Sequence, residues 1–184
     1  MKRLLIGLVA GCMAATMPVA ALADSPHFKK GGLPTCTISG TNPSLSVTCT
    51  GVLAGLGGGD LEIDVTLSGS AVYQCQNGGG NTAPGQNRVL VGPTTTPTMI
   101  SGGAIKNGNL TFTTKPATLT APAMVSGSAA GCPNPNWTGV NPVLTLTSIV
   151  LDIYQPVPPA PSSSNRIFQC TASDPLSGTV ALIC

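Results

Sequence analysis

Seven cysteines occur in the chain; Cys12 lies in an apolar N-terminal stretch, and Cys36, Cys49, Cys75, Cys132, Cys170 and Cys184 are spread over everything that follows. That spread restricts the fold more than any other feature. A metal cluster needs close pairs supported by histidine, whereas the nearest of these cysteines are thirteen residues apart and the chain has one histidine. An even set at wide spacing reads instead as three disulfides, provided the chain reaches an oxidising compartment.

The N-terminus supplies that condition. Met1-Lys2-Arg3 precedes an apolar run from Leu4 to Ala10, and Ala21-Leu22-Ala23 forms a small-x-small site before Asp24. This is the pattern of a signal peptide over residues 1–23, cleaved after Ala23 to leave a secreted or periplasmic chain without a transmembrane segment. Leu8-Val9-Ala10-Gly11-Cys12 overlaps it and resembles a lipobox, which would leave the protein lipid-anchored through Cys12 instead. Eight Lys and Arg less Lys2 and Arg3 balance six Asp and Glu, so the exported part is formally neutral. A neutral chain is no polyelectrolyte binder, and nucleic acid is excluded as a partner.

Alternation supplies the secondary structure. Leu61, Ile63, Val65, Leu67, Ala71, Tyr73 and Cys75 interleave with polar residues, which predicts a long strand with one wet face and a bulge or bend at Gly69. Shorter strands are predicted at 88–91, 110–114 and 117–120, and the near-continuous apolar run Val143 to Tyr154 predicts a strand buried on both faces. With 23 Gly and 17 Pro punctuating the chain, no long helix is expected. The fold class is therefore all-β, a disulfide-stapled two-sheet sandwich over residues 24–155. A Pro- and Ser-rich linker over 156–164 leads to a C-terminal hairpin over 165–184, whose apolar end must dock within the chain or on a second copy.

Turn chemistry at Gly40 to Ser44 predicts an earlier hairpin. If Gly40 opposes Leu45, then Ile38 opposes Val47 and Cys36 opposes Cys49, which pairs those two cysteines. The C-terminal hairpin likewise sets Cys170 against Cys184, leaving Cys75 with Cys132.

Few residues point to chemistry. The stretch from Cys75 to Asn87, CQNGGGNTAPGQN, has the glycines of a ligand cradle, yet a G-x-G-x-x-G pattern from Gly78 would need glycine where Ala83 stands, and no lysine follows. It reads as a long loop over 76–87, either a structural turn or a binding loop that presents Asn77, Asn81, Gln86 and Asn87. Trp137 could stack on a sugar ring or plug the core. Asp60, Glu62 and Asp64 share one strand face and could ligate calcium or remain solvated. His27, the sole histidine, is the one residue on which a hydrolase could be built, and it stands near the new N-terminus. No cofactor is indicated.

Ser25-Pro26-His27-Phe28, Leu53-Ala54-Gly55-Leu56-Gly57, Asn77-Gly78-Gly79-Gly80-Asn81 with Ala83-Pro84-Gly85-Gln86-Asn87, and Gly131-Cys132-Pro133-Asn134-Pro135-Asn136-Trp137-Thr138 resemble the successive signatures of a widespread family of uncharacterised secreted bacterial proteins. The resemblance spans residues 25–154, with Gly78 where the family pattern has proline. It implies an exported bacterial β-domain and carries over no catalytic residue. Together these features lead us to expect a non-enzymatic surface, matrix or binding module, with a glycan- or calcium-binding domain and a secreted hydrolase as alternatives. A cell-surface glycan and self-association through the C-terminal hairpin are the partners to test.

Overall fold

The computed structural model describes residues 25–157, 163–173 and 176–184. The signal segment with its Ala23 and Cys12 processing sites, most of the 156–164 linker and the Asp174-Pro175 turn lie outside them.

Sheet A is built on β2 (Thr35–Thr41) and β3 (Ser44–Ala54), joined by the turn read from the sequence. Their register sets Gly40 opposite Leu45, Ile38 opposite Val47 and Cys36 opposite Cys49, and the two cysteines are bonded with their Cα atoms 4.0 Å apart. The short strand β1 (His27–Phe28) extends the sheet beside the end of β3. Sheet B is built on β4 (Leu61–Gln76), which pairs on one side with β5 (Thr82–Ile100). On sheet A's other flank, β6 (Leu110–Thr113) and β7 (Ala117–Thr120) both pair with β3. The chain returns to sheet B through β8 (Val125–Ser126), the single helical turn α1 (Gly127–Ala130) and β9 (Thr138–Tyr154), which lies on the free side of β4.

The two sheets bury their alternating apolar faces against each other. Ile63, Val65 and Leu67 of β4, with Ile149, Leu151 and Ile153 of β9, are fully buried, as are Val47 and Leu53 of sheet A. Burying each such side chain contributes roughly 1.5–3 kcal/mol. The bulge expected at Gly69 is present against both neighbours of β4, where the backbones come so close that a Cβ would lie 2.7 Å from the Thr145 carbonyl oxygen.

Three expectations are corrected. The loop over 76–87 is confined to residues 77–81, because Thr82 already begins β5, a 19-residue strand in place of the short one at 88–91. Its Pro84, Pro93 and Pro97 are tolerated since β5 is the outer strand of sheet B, with one backbone edge unpaired and prolines that hinder further pairing. The strand expected from Val143 begins at Thr138 and is buried on one face only; Thr147, Ser148, Val150 and Asp152 on its outer face are half-buried. Its neighbours β4 and the C-terminal strand over residues 166–173 flank it on either side.

The C-terminal arms also differ from a simple hairpin. β10 (Arg166–Ser173) pairs with β9 in sheet B, whereas β11 (Thr179–Ala181) pairs with β2 in sheet A. The arms meet only where Thr171 and Ile183 exchange two backbone hydrogen bonds of 2.8 and 2.9 Å, beside the Cys170–Cys184 disulfide. Leu176 and Leu182 are buried beneath this crossing. Each sheet offered an open edge there, and a segment that serves both edges covers more apolar surface than a two-stranded unit can.

Outside, sheet A presents hydroxyls in register: Thr41, Ser44 and Thr120 in one row, Ser39, Ser46 and Thr118 in the next, then Thr179, Thr37 and Thr48, then Thr35, Thr50 and Thr113.

Candidate functional site

The glycine stretch resolves into a turn that holds itself. Asn77 Oδ1 accepts hydrogen bonds from the backbone N–H groups of Gly79 and Asn81, both at 2.9 Å, and the two asparagines close the hairpin through Asn77 N–H to the Asn81 carbonyl at 3.0 Å. The Asn77 side-chain oxygen is thereby engaged in the turn. Asn87 is drawn away to α1, where its Nδ2 lies 3.5 Å from the Ser128 carbonyl, and the Gln86 backbone N–H reaches the Gly131 carbonyl. The four residues expected to present a ligand together therefore face different neighbours. Trp137 packs partly buried against the core.

A hollow does form nearby, on the outer face of sheet B. Between Val72 and Gln74 the register of β4 shifts against both partners: opposite Tyr73, β9 carries two residues, Asn141 and Pro142, and β5 carries Gly85, Gln86 and Asn87. Two bulges at one level bend the neighbours away from β4. Gly85 is needed there, since a Cβ would lie 2.6 Å from the Tyr73 carbonyl oxygen and 2.7 Å from that of Ala130. Tyr73 points inward, buried, and its hydroxyl donates to the Pro122 carbonyl at 2.9 Å.

The result is a cavity of about 280 Å³ lined by Val72, Gln74, Thr82, Pro84, Asn141 and Val143 among others. A second, more open one of about 600 Å³ adjoins it through the shared Gln74, Asn141 and Val143 and reaches Asn42 and Pro43 at the hairpin turn of sheet A. Asn141 adopts the left-handed region at φ 51°, which asparagine enters more readily than other residues with a side chain. Its Nδ2 donates to Gln74 Oε1 across the strands at 3.0 Å. That leaves the Gln74 N–H groups and the Asn141 carbonyl oxygen without a protein partner among the described residues, a donor and an acceptor side by side. No acidic or basic residue lines either cavity.

The sequence singled out Pro84 and its neighbours only as part of a loop, and it missed Gln74, Asn141 and Val143. The available signal was Asn141-Pro142 interrupting an otherwise strand-forming run.

The acidic group is rearranged as well. Asp60 stays in the exposed loop ahead of β4, its Oδ1 taken by the Gly102 N–H at 2.8 Å. Glu62 and Asp64 lie on the outer face of β4, nearly buried, with Asp64 directly opposite Asp152 of β9. Asp152 is held by Arg166 at 3.2 Å and by Gln169 at 3.0 Å, both from β10. Burial first, then the charges of Glu62 and Asp152 and a hydrogen bond with Glu62, push the Asp64 carboxyl up to about 6. Its Oδ1 is buried without a hydrogen-bond partner. Among the described residues no group of three or more His, Cys, Asp and Glu is arranged to hold a metal ion, and Asp60 stands apart from Glu62 and Asp64. His27 sits exposed on β1, its Nδ1–H donating to the Ser25 carbonyl at 2.8 Å.

Comparison of the chain with protein-family models, with curated proteins and with solved structures finds no match.

Proposed function

We propose that the chain is a non-enzymatic binding module of the bacterial exterior, and that the hollow at the second bulge of β4 takes a neutral, hydroxyl-rich ligand such as a cell-surface glycan. The observation that carries this reading is the Gln74–Asn141 amide pair, tied by one hydrogen bond and left with one free donor side and one free acceptor. A sugar hydroxyl both donates and accepts, so such a pair meets it from two sides, while Val72, Pro84 and Val143 offer apolar surface to the ring's C–H groups. Absence of charge in the lining favours a neutral ligand over a phosphorylated or acidic one.

The compartment agrees with this reading. Three disulfides fit an oxidising environment, and no helix among the described residues is long and apolar enough to cross a membrane. The signal-like N-terminus and the resemblance to exported bacterial proteins support it further.

Glycan-array screening followed by calorimetric titration of the best hit tests the reading. Binding is expected to fall about tenfold or more in Asn141→Ala and Gln74→Ala, consistent with losing one or two hydrogen bonds from a partly desolvated site, and to survive Trp137→Ala. Retention in both amide variants with loss in Trp137→Ala would move the site to the tryptophan turn.

A further inference from the structure

Independently of the hollow, the outer face of sheet A carries an ordered lattice of hydroxyls, three in each of four rows. Strand geometry spaces them at about 4.8 Å across the sheet and about 6.7 Å along each strand. One end of the lattice is tied before anything binds: Ser44 and Thr120 hydroxyls lie 2.8 Å apart, and those of Ser46 and Thr118 lie 2.7 Å apart. Each hydroxyl has one donor and two acceptor positions, so capacity remains toward solvent after these bonds are made.

Three properties restrict what can cover this face. None of the residues that β2, β3, β6, β7 and β11 turn outward is ionisable, so charge complementarity asks for a neutral occupant. None of them is aromatic, which removes the platform on which a sugar ring stacks. The lattice covers on the order of 400 Å², about half of what one partner contributes to a standard protein interface, so a second protein is poorly served by it. What remains is an occupant that is itself a neutral, repeating array of single-oxygen donors and acceptors.

We propose that this face binds crystalline water, adsorbing the protein to ice through sheet A. Charged side chains hold their own strongly oriented hydration, whereas alternating hydroxyls and threonine methyls can join a water lattice without disrupting it. Sheet twist of about 20° per strand pair confines simultaneous contact to the central columns, β2 and β3. Ser46 and Thr48, at that centre, carry the largest share.

The test is nanolitre ice osmometry with fluorescent ice-plane labelling on the exported chain. The wild type is expected to facet growing crystals and to coat defined ice planes. Ser46→Lys and Thr48→Lys are each expected to reduce thermal hysteresis several-fold, and Thr48→Val less, because it keeps the threonine methyl and adds no charge. Asn141→Ala is expected to leave ice activity unchanged, since the hollow lies on the other sheet. Disulfide mapping and far-ultraviolet dichroism establish that the variants fold. Rounded, unlabelled crystals with the wild type overturn the proposal. So does undiminished activity in the Ser46→Lys/Thr48→Lys double variant, or retention of the wild type on an insoluble neutral polysaccharide that the double variant abolishes while ice remains bare.

Discussion

Asp64 shows how one residue can store a conflict. Its carboxyl faces Asp152 across the strand pair and shares a face with Glu62, Tyr154 and, through β10, Arg166; β5 contributes Pro97 and Met99 there and no charge. Because the folded state holds its proton up to about pH 6 while an unfolded aspartate releases it near pH 4, folding is favoured by this group at low pH. The favourable contribution is complete below about pH 4 and disappears as pH rises through about 6. Asp64→Asn keeps a donor toward Glu62 and removes the charge. Urea unfolding should therefore show the variant more stable than wild type at pH 7.5, by about 2 kcal/mol, with the two converging near pH 4. A constant difference between them across that range would assign the effect to packing. The sequence offered Asp64 as half of an acidic face with Asp60; it could not offer Asp152, because that meeting depends on the register of a strand about ninety residues away.

Among the elements, the segment after the linker is the most dependent on its surroundings. β11 contributes three paired residues to β2, extended by the Ile38 N–H to the Gly178 carbonyl and the Leu182 N–H to the Pro34 carbonyl, and the chain then turns back to β10. Removing its covalent tie with Cys170→Ser/Cys184→Ser releases a 14-residue separation, which costs roughly 3 kcal/mol in the loop-entropy picture. Native-state hydrogen exchange should then show amides of Thr171, Ile183 and Leu182 losing protection while those of Val65 and Leu151 keep theirs. Equal loss at all five would mean that the crossing and the core unfold as one. The cysteines made the pairing of Cys170 with Cys184 readable, since two facing positions were visible on either side of a turn. Which edge each arm would join was not readable. An apolar Val180-Ala181-Leu182-Ile183 says that cover is required, and only the finished sheets say where it is found.

At the scale of the whole molecule, period-two alternation and frequent glycine and proline made the all-β sandwich legible, and the Gly40 to Leu45 turn fixed a register and a disulfide with it. The hollow stayed hidden because it arises from paired bulges, and a bulge is a relation between strands that no single strand displays; Asn141 and Gly85 look ordinary until they are set opposite Tyr73. Cys75 and Cys132 lie 57 residues apart in sequence with Cα atoms 5.5 Å apart, at the two ends of everything from β5 to α1. A pull along the backbone passes from one cysteine directly to the other, so the outer strand β5, with its part of the hollow's wall, and the flanking strands β6 and β7 bear no tension. In optical-tweezer extension from residues 25 and 157, full unravelling should release roughly 190 Å more contour in Cys75→Ser/Cys132→Ser than in the wild type, at about 3.4 Å for each sequestered residue. Tension along the chain therefore runs through β4 and β9, where Gln74 and Asn141 stand, while the strand that closes the other side of the hollow is spared.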